Sequence, residues 1–168
     1  MAIRNPRELF VQMLSHVRQG TERSTSIFKE LGEAAQNEEI KEALEARSFA
    51  SEKTLEKVDQ AFKLLGEQPT KLTGRLHDVF VEDFRKELGE IQSPEARRLF
   101  VLAKANHLVH MRIAEYIALV AAADVSGNYG VGVLLESCLG DTLAFVERAK
   151  RLIRNVVETR VAAAAARA

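Results

Sequence analysis

The chain has one cysteine, Cys138, in 168 residues. No intramolecular disulfide can form, and no thiolate cluster can hold zinc or an iron–sulfur centre. Folding therefore does not require an oxidising compartment. Net charge is also missing, because 24 Lys and Arg balance 24 Asp and Glu. That removes the positive surplus with which nucleic-acid binders displace counterions. The most apolar stretch, Leu99 to Ala123, is interrupted by Lys104, His107, His110, Arg112 and Glu115, which makes it a poor membrane span. The first residues carry no apolar signal core. These absences predict a cytoplasmic protein with neither nucleic acid nor membrane as partner. Proline is scarce as well: three in the whole chain impose few breaks on helices.

What is present fits one globular domain over residues 1–168. Hydrophobic residues make up 46% and charged residues 29%, an ordinary folded balance for a length that supports one core. Asn5-Pro6 reads as an N-cap and first-turn proline, followed at helical spacing by Phe10, Met13, Leu14, Val17, Ile27, Phe28 and Leu31. A second helix follows Asn37, with a seam of Leu44, Ser48, Ser51, Leu55, Val58, Phe62 and Leu65; its alternating steps of four and three suit near-parallel packing. Gly66 stops it and Pro69 prevents resumption. A shorter amphipathic helix is predicted from about Thr73 to Ile91. Ser93-Pro94-Glu95 opens a fourth helix to about Val125, and a fifth runs from about Tyr129 into an Ala-rich tail expected to fray from about residue 162. No strand pattern occurs. The fold class is all-α: a four-helix bundle of two antiparallel hairpins with the shorter helix in the crossover, the ferritin-like topology.

The apolar seams fail at mid-helix. Arg18 to Ser26 has no large apolar residue, and Glu45 to Thr54 has only Ala46, Phe49 and Ala50. Glu22 and Glu52 lie equally far from the turn near Asn37, so in an antiparallel hairpin they share a height. Arg112 and Asp141 come to similar heights from the turn near Gly127, with His110 just beyond. A mid-bundle polar layer of Glu22, Arg47, Ser48, Ser51, Glu52, His110, Arg112 and Asp141 follows. Burying charge is costly unless it is paired or ligates a metal, so such a layer points to a metal site, an ion-pair network or a solvated remnant of one.

The segments Asn37-Glu38-Glu39-Ile40-Lys41-Glu42-Ala43-Leu44, Phe62-Lys63-Leu64-Leu65-Gly66-Glu67-Gln68-Pro69, His110-Met111-Arg112-Ile113-Ala114-Glu115-Tyr116 and Leu134-Leu135-Glu136-Ser137-Cys138-Leu139 resemble the ferritin-like YciE/YciF family of bacterial stress-associated proteins. The resemblance spans nearly the whole chain. It implies kinship with di-iron carboxylate proteins, which carry a glutamate on the first helix, Glu-x-x-His on the second and further glutamates on the last two. Matched by position, Glu22 fits the first glutamate, whereas Phe49 and Glu52 stand at Glu-x-x-His. Val109, His110, Met111 and Arg112 replace the fourth-helix set, and Gly140, Asp141, Thr142 and Leu143 the acidic run of the fifth. The resemblance thus implies a stress-associated homodimer, formed through helices 1 and 2, that is non-enzymatic and has lost its di-metal site. Arg112, with Arg47, would supply the missing positive charge and pair with Glu22, Glu52 or Asp141. No catalytic residue, cofactor or metal is expected. The alternative is an iron oxidase or iron-handling protein using Glu22, Glu52, His110 and Asp141.

Other residues read as structural. His107 and His110 are read as one partly exposed histidine and one hydrogen-bonded interior histidine, Tyr116 as a packed ring with a hydroxyl partner, and Cys138 as a buried inert thiol. Glu82 is a paired or solvated acid, and Gly127, Gly130 and Gly132 form a turn rather than a phosphate loop.

Overall fold

The computed structural model describes residues 3–165, with side chains through residue 159. Five helices follow in order: α1 (Pro6–Ala34), α2 (Glu38–Leu65), α3 (Leu76–Gly89), α4 (Pro94–Val125) and α5 (Tyr129–Ala165). Three of the four long helices, α1, α2 and α4, begin where the sequence offers a cap. Asn5 and Asn37 accept from the amides of Glu8 and Ile40 at 2.9 and 3.0 Å, and Ser93 accepts from Ala96 at 3.3 Å. A side-chain cap of this kind contributes about 1 kcal/mol. Gly66 ends α2 with φ 67°, in the left-handed region that glycine enters without strain. α3 is shorter than its periodicity predicts. Its N-cap, Arg75, makes no side-chain capping bond, so nothing nucleates the turn at Thr73. α5 is helical to Ala165; of the tail expected to fray, residues 166–168 lie outside those described.

α1 packs on α2 and on α4, and α5 packs on α4 and on α2, while α3 lies lightly across α1 and α4. α5 holds a segment, Tyr129–Thr159, that is long and apolar enough by composition to cross a membrane. The segment's Leu135, Cys138, Phe145, Val146, Ala149 and Leu152 are core residues of this bundle.

The core is split in two. One cluster joins Ile27, Phe28 and Leu31 to Ile40, Leu44, Phe84, Leu102, Val109, Phe145 and Leu152. The other joins Phe10, Leu14 and Val17 to Val58, Phe62, Tyr116, Leu119, Leu135 and Cys138. Between them every long helix presents buried polar groups: Thr21 and Ser24 from α1, Arg47, Ser48, Ser51 and Thr54 from α2, Arg112 from α4, and Thr142 from α5. The apolar seams are interrupted at one common level.

Candidate functional site

Gly20 lies inside α1, where glycine costs about 1 kcal/mol relative to alanine. Its lack of a side chain makes room for Arg112: a Cβ on Gly20 would stand 2.0 Å from the Arg112 Nη2. The guanidinium is 5% exposed. Its Nη1 pairs with Glu115, one turn along α4, and donates to the His16 carbonyl at 3.5 Å. Its Nη2 meets His77 Nε2 at 3.0 Å. Arginine can only donate, so Nε2 is the acceptor and the imidazole is neutral with its proton on Nδ1. Burial, with the Arg112 and Arg23 charges, lowers the His77 pKa from 6.5 to about 4. Burial pushes the Glu115 carboxyl above its usual value, against the pull of Arg112. The crossover helix thus inserts one imidazole, 8% exposed, against an arginine of the bundle.

Arg47 is the second buried guanidinium, also 5% exposed. It lies over the rings of Phe28 and Phe145, 5.6 and 5.9 Å from their centroids, a cation–π arrangement. Its Nε and Nη1 have no hydrogen-bond partner. Burial pushes its pKa below the usual guanidinium range. Four hydroxyls of the layer donate to main-chain carbonyls, Ser24 to Gly20, Ser48 to Thr25, Ser51 to Arg47 and Thr142 to Cys138, whereas Thr54 Oγ1 is buried without a partner. Tyr116, 1% exposed, bonds through its hydroxyl with Thr21 and Cys138. Burial raises both acids, the thiol to about 11, so Cys138 stays protonated and unreactive at neutral pH.

Four members of the expected layer are therefore inside: Arg47, Ser48, Ser51 and Arg112. The other four are exposed. Glu22 pairs with Arg18 on α1 at 3.6 Å. Asp141 accepts from Lys57 at 2.7 Å. His110 turns its Nδ1 to the Asn106 carbonyl of its own helix, and Glu52 faces solvent. The expected pairing of Arg112 or Arg47 with Glu22, Glu52 or Asp141 is replaced by Arg112 with Glu115 and His77, and by Arg47 between two rings. The expected glutamate and Glu-x-x-His positions are displaced too. Phe49 is 62% exposed, and the pair three residues apart that α2 aims inward is Ser48 and Ser51. On α1 the inward residues are Thr21 and Ser24, on either side of the exposed Glu22 and the half-buried Arg23.

Of the other readings, two are corrected: Gly127, with φ 72°, completes the turn by itself and Gly130 and Gly132 lie inside α5, and neither His107 nor His110 is interior. His107 is exposed and meets Phe80 edge-on at 6.1 Å, and Glu82 pairs with Arg75. His77, Glu115 and Gly20 were not legible as site residues. Gly20 alone carried a signal, since an isolated glycine inside a helix pattern marks a close approach. Among the described residues, no three His, Cys, Asp or Glu side chains are grouped so as to hold a metal ion.

Comparison with known proteins gives the setting. No curated protein matches the chain. Its fold is shared with the stress protein YciF of E. coli, at TM-score 0.87 and 20% identity over 93% of this chain and 99% of that one. YcfI of Rhodopseudomonas palustris follows at TM-score 0.83 and 23% identity, over 88% and 94%. A protein of Xanthomonas campestris matches at TM-score 0.72 and 20% identity, over 94% and 95%. A family profile described as a domain of unknown function, DUF892, covers residues 5–162. By that match, over nearly its whole length, the chain belongs to the DUF892 family.

Proposed function

We propose that this protein is a non-enzymatic, ferritin-like member of its family in which a di-metal carboxylate centre has been replaced by buried arginines. The reading rests on one observation: the polar layer between the two core clusters presents two guanidiniums and a set of hydroxyls, and its one ion-paired carboxylate, Glu115, is already held by Arg112. Two divalent cations need several carboxylates to neutralise and bridge them. The inward side chains Thr21, Ser24, Ser48, Ser51 and Thr142 do not supply these, and two fixed positive charges repel a metal. The residues present do not fit a di-iron centre. The test is elemental analysis of the chain purified after growth in excess iron. Only trace iron is expected; two tightly held irons per chain would refute the reading and favour the iron-handling alternative.

The same proposal includes a role in stress and self-association through the α1/α2 face. Phe49, a phenyl ring 62% exposed on α2, is the apolar side chain through which this face can be tested. Light scattering on the eluting protein is expected to give a dimer that Phe49→Asp converts to monomer. A wild-type monomer would remove this part.

A further inference from the structure

Arg7, Arg18, Arg23, Arg75 and Arg85 each pair with a carboxylate. Three arginines of α5 do not. Arg148, Arg151 and Arg154 make no ion pair and no hydrogen bond among the described residues. Residues three and four apart are neighbours on a helix surface, so Arg151 lies between Arg148 on one side and Arg154 and Asn155 on the other. With Glu39 and Glu158, these four residues line an open cleft of about 370 Å³ beside the start of α2. Arg148 is half-buried there, and Arg151, Arg154 and Asn155 are exposed. Neither Glu39 nor Glu158 closes an ion pair across the cleft. From Arg148 to Arg154 the chain also holds Lys150 and no acid, a concentrated positive patch on a chain of zero net charge. The Glu147 carboxyl, bonded to Lys150 and faced by Arg151 and Arg154, is held below its usual value.

We propose that this cleft is an oxyanion site whose ligand is a compact phosphate dianion, as inorganic phosphate or as the phosphate of a small phosphomonoester. A guanidinium is a planar fork of N–H donors that matches phosphate oxygens in pairs, and such charge-assisted bonds are about twice as strong as neutral ones. Asn155 adds an amide donor. The space is at the low end of small-molecule sites, which span about 300–1,000 Å³. An extended polyanion fits less well. It would run on from the arginines to Glu147, Glu158 and the acidic first turn of α2, Glu38 and Glu39, where like charges repel. The site is a binding site with no chemistry of its own. It shares no residue with the buried polar layer, so phosphate binding and iron content are read separately and either can fail alone.

The test is an NMR titration of the full chain at about pH 7.5, where phosphate is largely dianionic. Arginine Nε–H signals and α5 amides are followed in sodium phosphate, in phenyl phosphate and in a single-stranded oligothymidine. Sodium chloride at equal ionic strength removes the effect of screening. Saturable shifts centred on Arg148, Arg151 and Arg154 are expected with both phosphates. Tighter binding of phenyl phosphate assigns the ligand to phosphomonoesters, and tighter binding of inorganic phosphate assigns it to the free ion. In Arg148→Gln/Arg151→Gln, which changes no core residue, phosphate affinity is expected to fall by about tenfold or more. The wild-type titration needs no variant: shifts that do not saturate, or that chloride reproduces, overturn the proposal. Unchanged affinity in the folded double variant overturns it as well, and so does tighter binding of the oligonucleotide than of either phosphate.

Discussion

At the level of single residues, Gly20 and His77 carry the sharpest consequences. Gly20→Ala sets two effects against each other. Helix propensity favours alanine by about 1 kcal/mol, but the new Cβ would stand 2.0 Å from a guanidinium nitrogen. Overpacking costs about 1–3 kcal/mol, and detaching Arg112 from His77 and Glu115 leaves buried donors unmet at about 1–3 kcal/mol more. The clash wins, and urea denaturation is expected to show the variant less stable by about 2–3 kcal/mol. For His77 the pKa of about 4 lies below the ordinary 6.5, so the native state resists protonation. Its contribution is complete above pH 6.5 and is lost as pH falls toward 4. The limit is about 3 kcal/mol, at 1.36 kcal/mol per unit. Glu115, with its pKa raised by burial, acts in the opposite direction. The difference between wild type and His77→Gln isolates the imidazole: stability measured from pH 7.5 to 4.5 is expected to fall more steeply in the wild type. Parallel curves would show that His77 does not accept from Arg112.

Among the elements, α3 is the least anchored. One large side chain, Phe84, is fully buried and stacks on Phe100 at 5.7 Å. Beyond that ring and the His77 contact with Arg112, α3 is held at its rim by Asp78 with Arg23, Arg85 with Glu30, and Glu87 with Lys104. Exposed pairs of this kind contribute about 0–1 kcal/mol each. Amides of α3 are expected to exchange faster than those in the middle of the long helices. Phe84→Ala, a truncation of the kind that costs about 3–5 kcal/mol, is expected to unprotect α3 before the rest. Uniform protection in wild type and variant would contradict this ranking. The elements also show where sequence reasoning holds and where it stops. Distance from a turn fixes height, so the polar gaps of the hairpins were correctly placed opposite one another. Facing depends on rotation, and one residue turns a helix by about 100°. Hence Glu22 and Glu52 were placed at the right level on the wrong side, while Ser48, Ser51 and Arg112 fell on the right one. His77 left no trace in the periodicity, because its contact joins α3 to α4 across 35 residues.

Taken whole, the molecule is a bundle whose two apolar clusters are separated by a cationic layer. The four-helix arrangement and its crossover follow from caps, glycine stops and seams that all agree, and local agreement of that kind makes a fold readable from sequence. The centre was less readable because most of its partners are distant in sequence: besides the local Glu115, Arg112 finds His77 on α3, and Arg47 finds aromatic faces on α1 and α5. The central claim is that guanidinium groups, and not metals, occupy the middle of this bundle. Diffraction at the iron edge from crystals soaked in ferrous iron tests it most directly. The account predicts no anomalous peak among the four long helices, with the Arg47 and Arg112 guanidiniums ordered in the interior. A metal peak at that level, with Arg112 swung out to solvent, would contradict it.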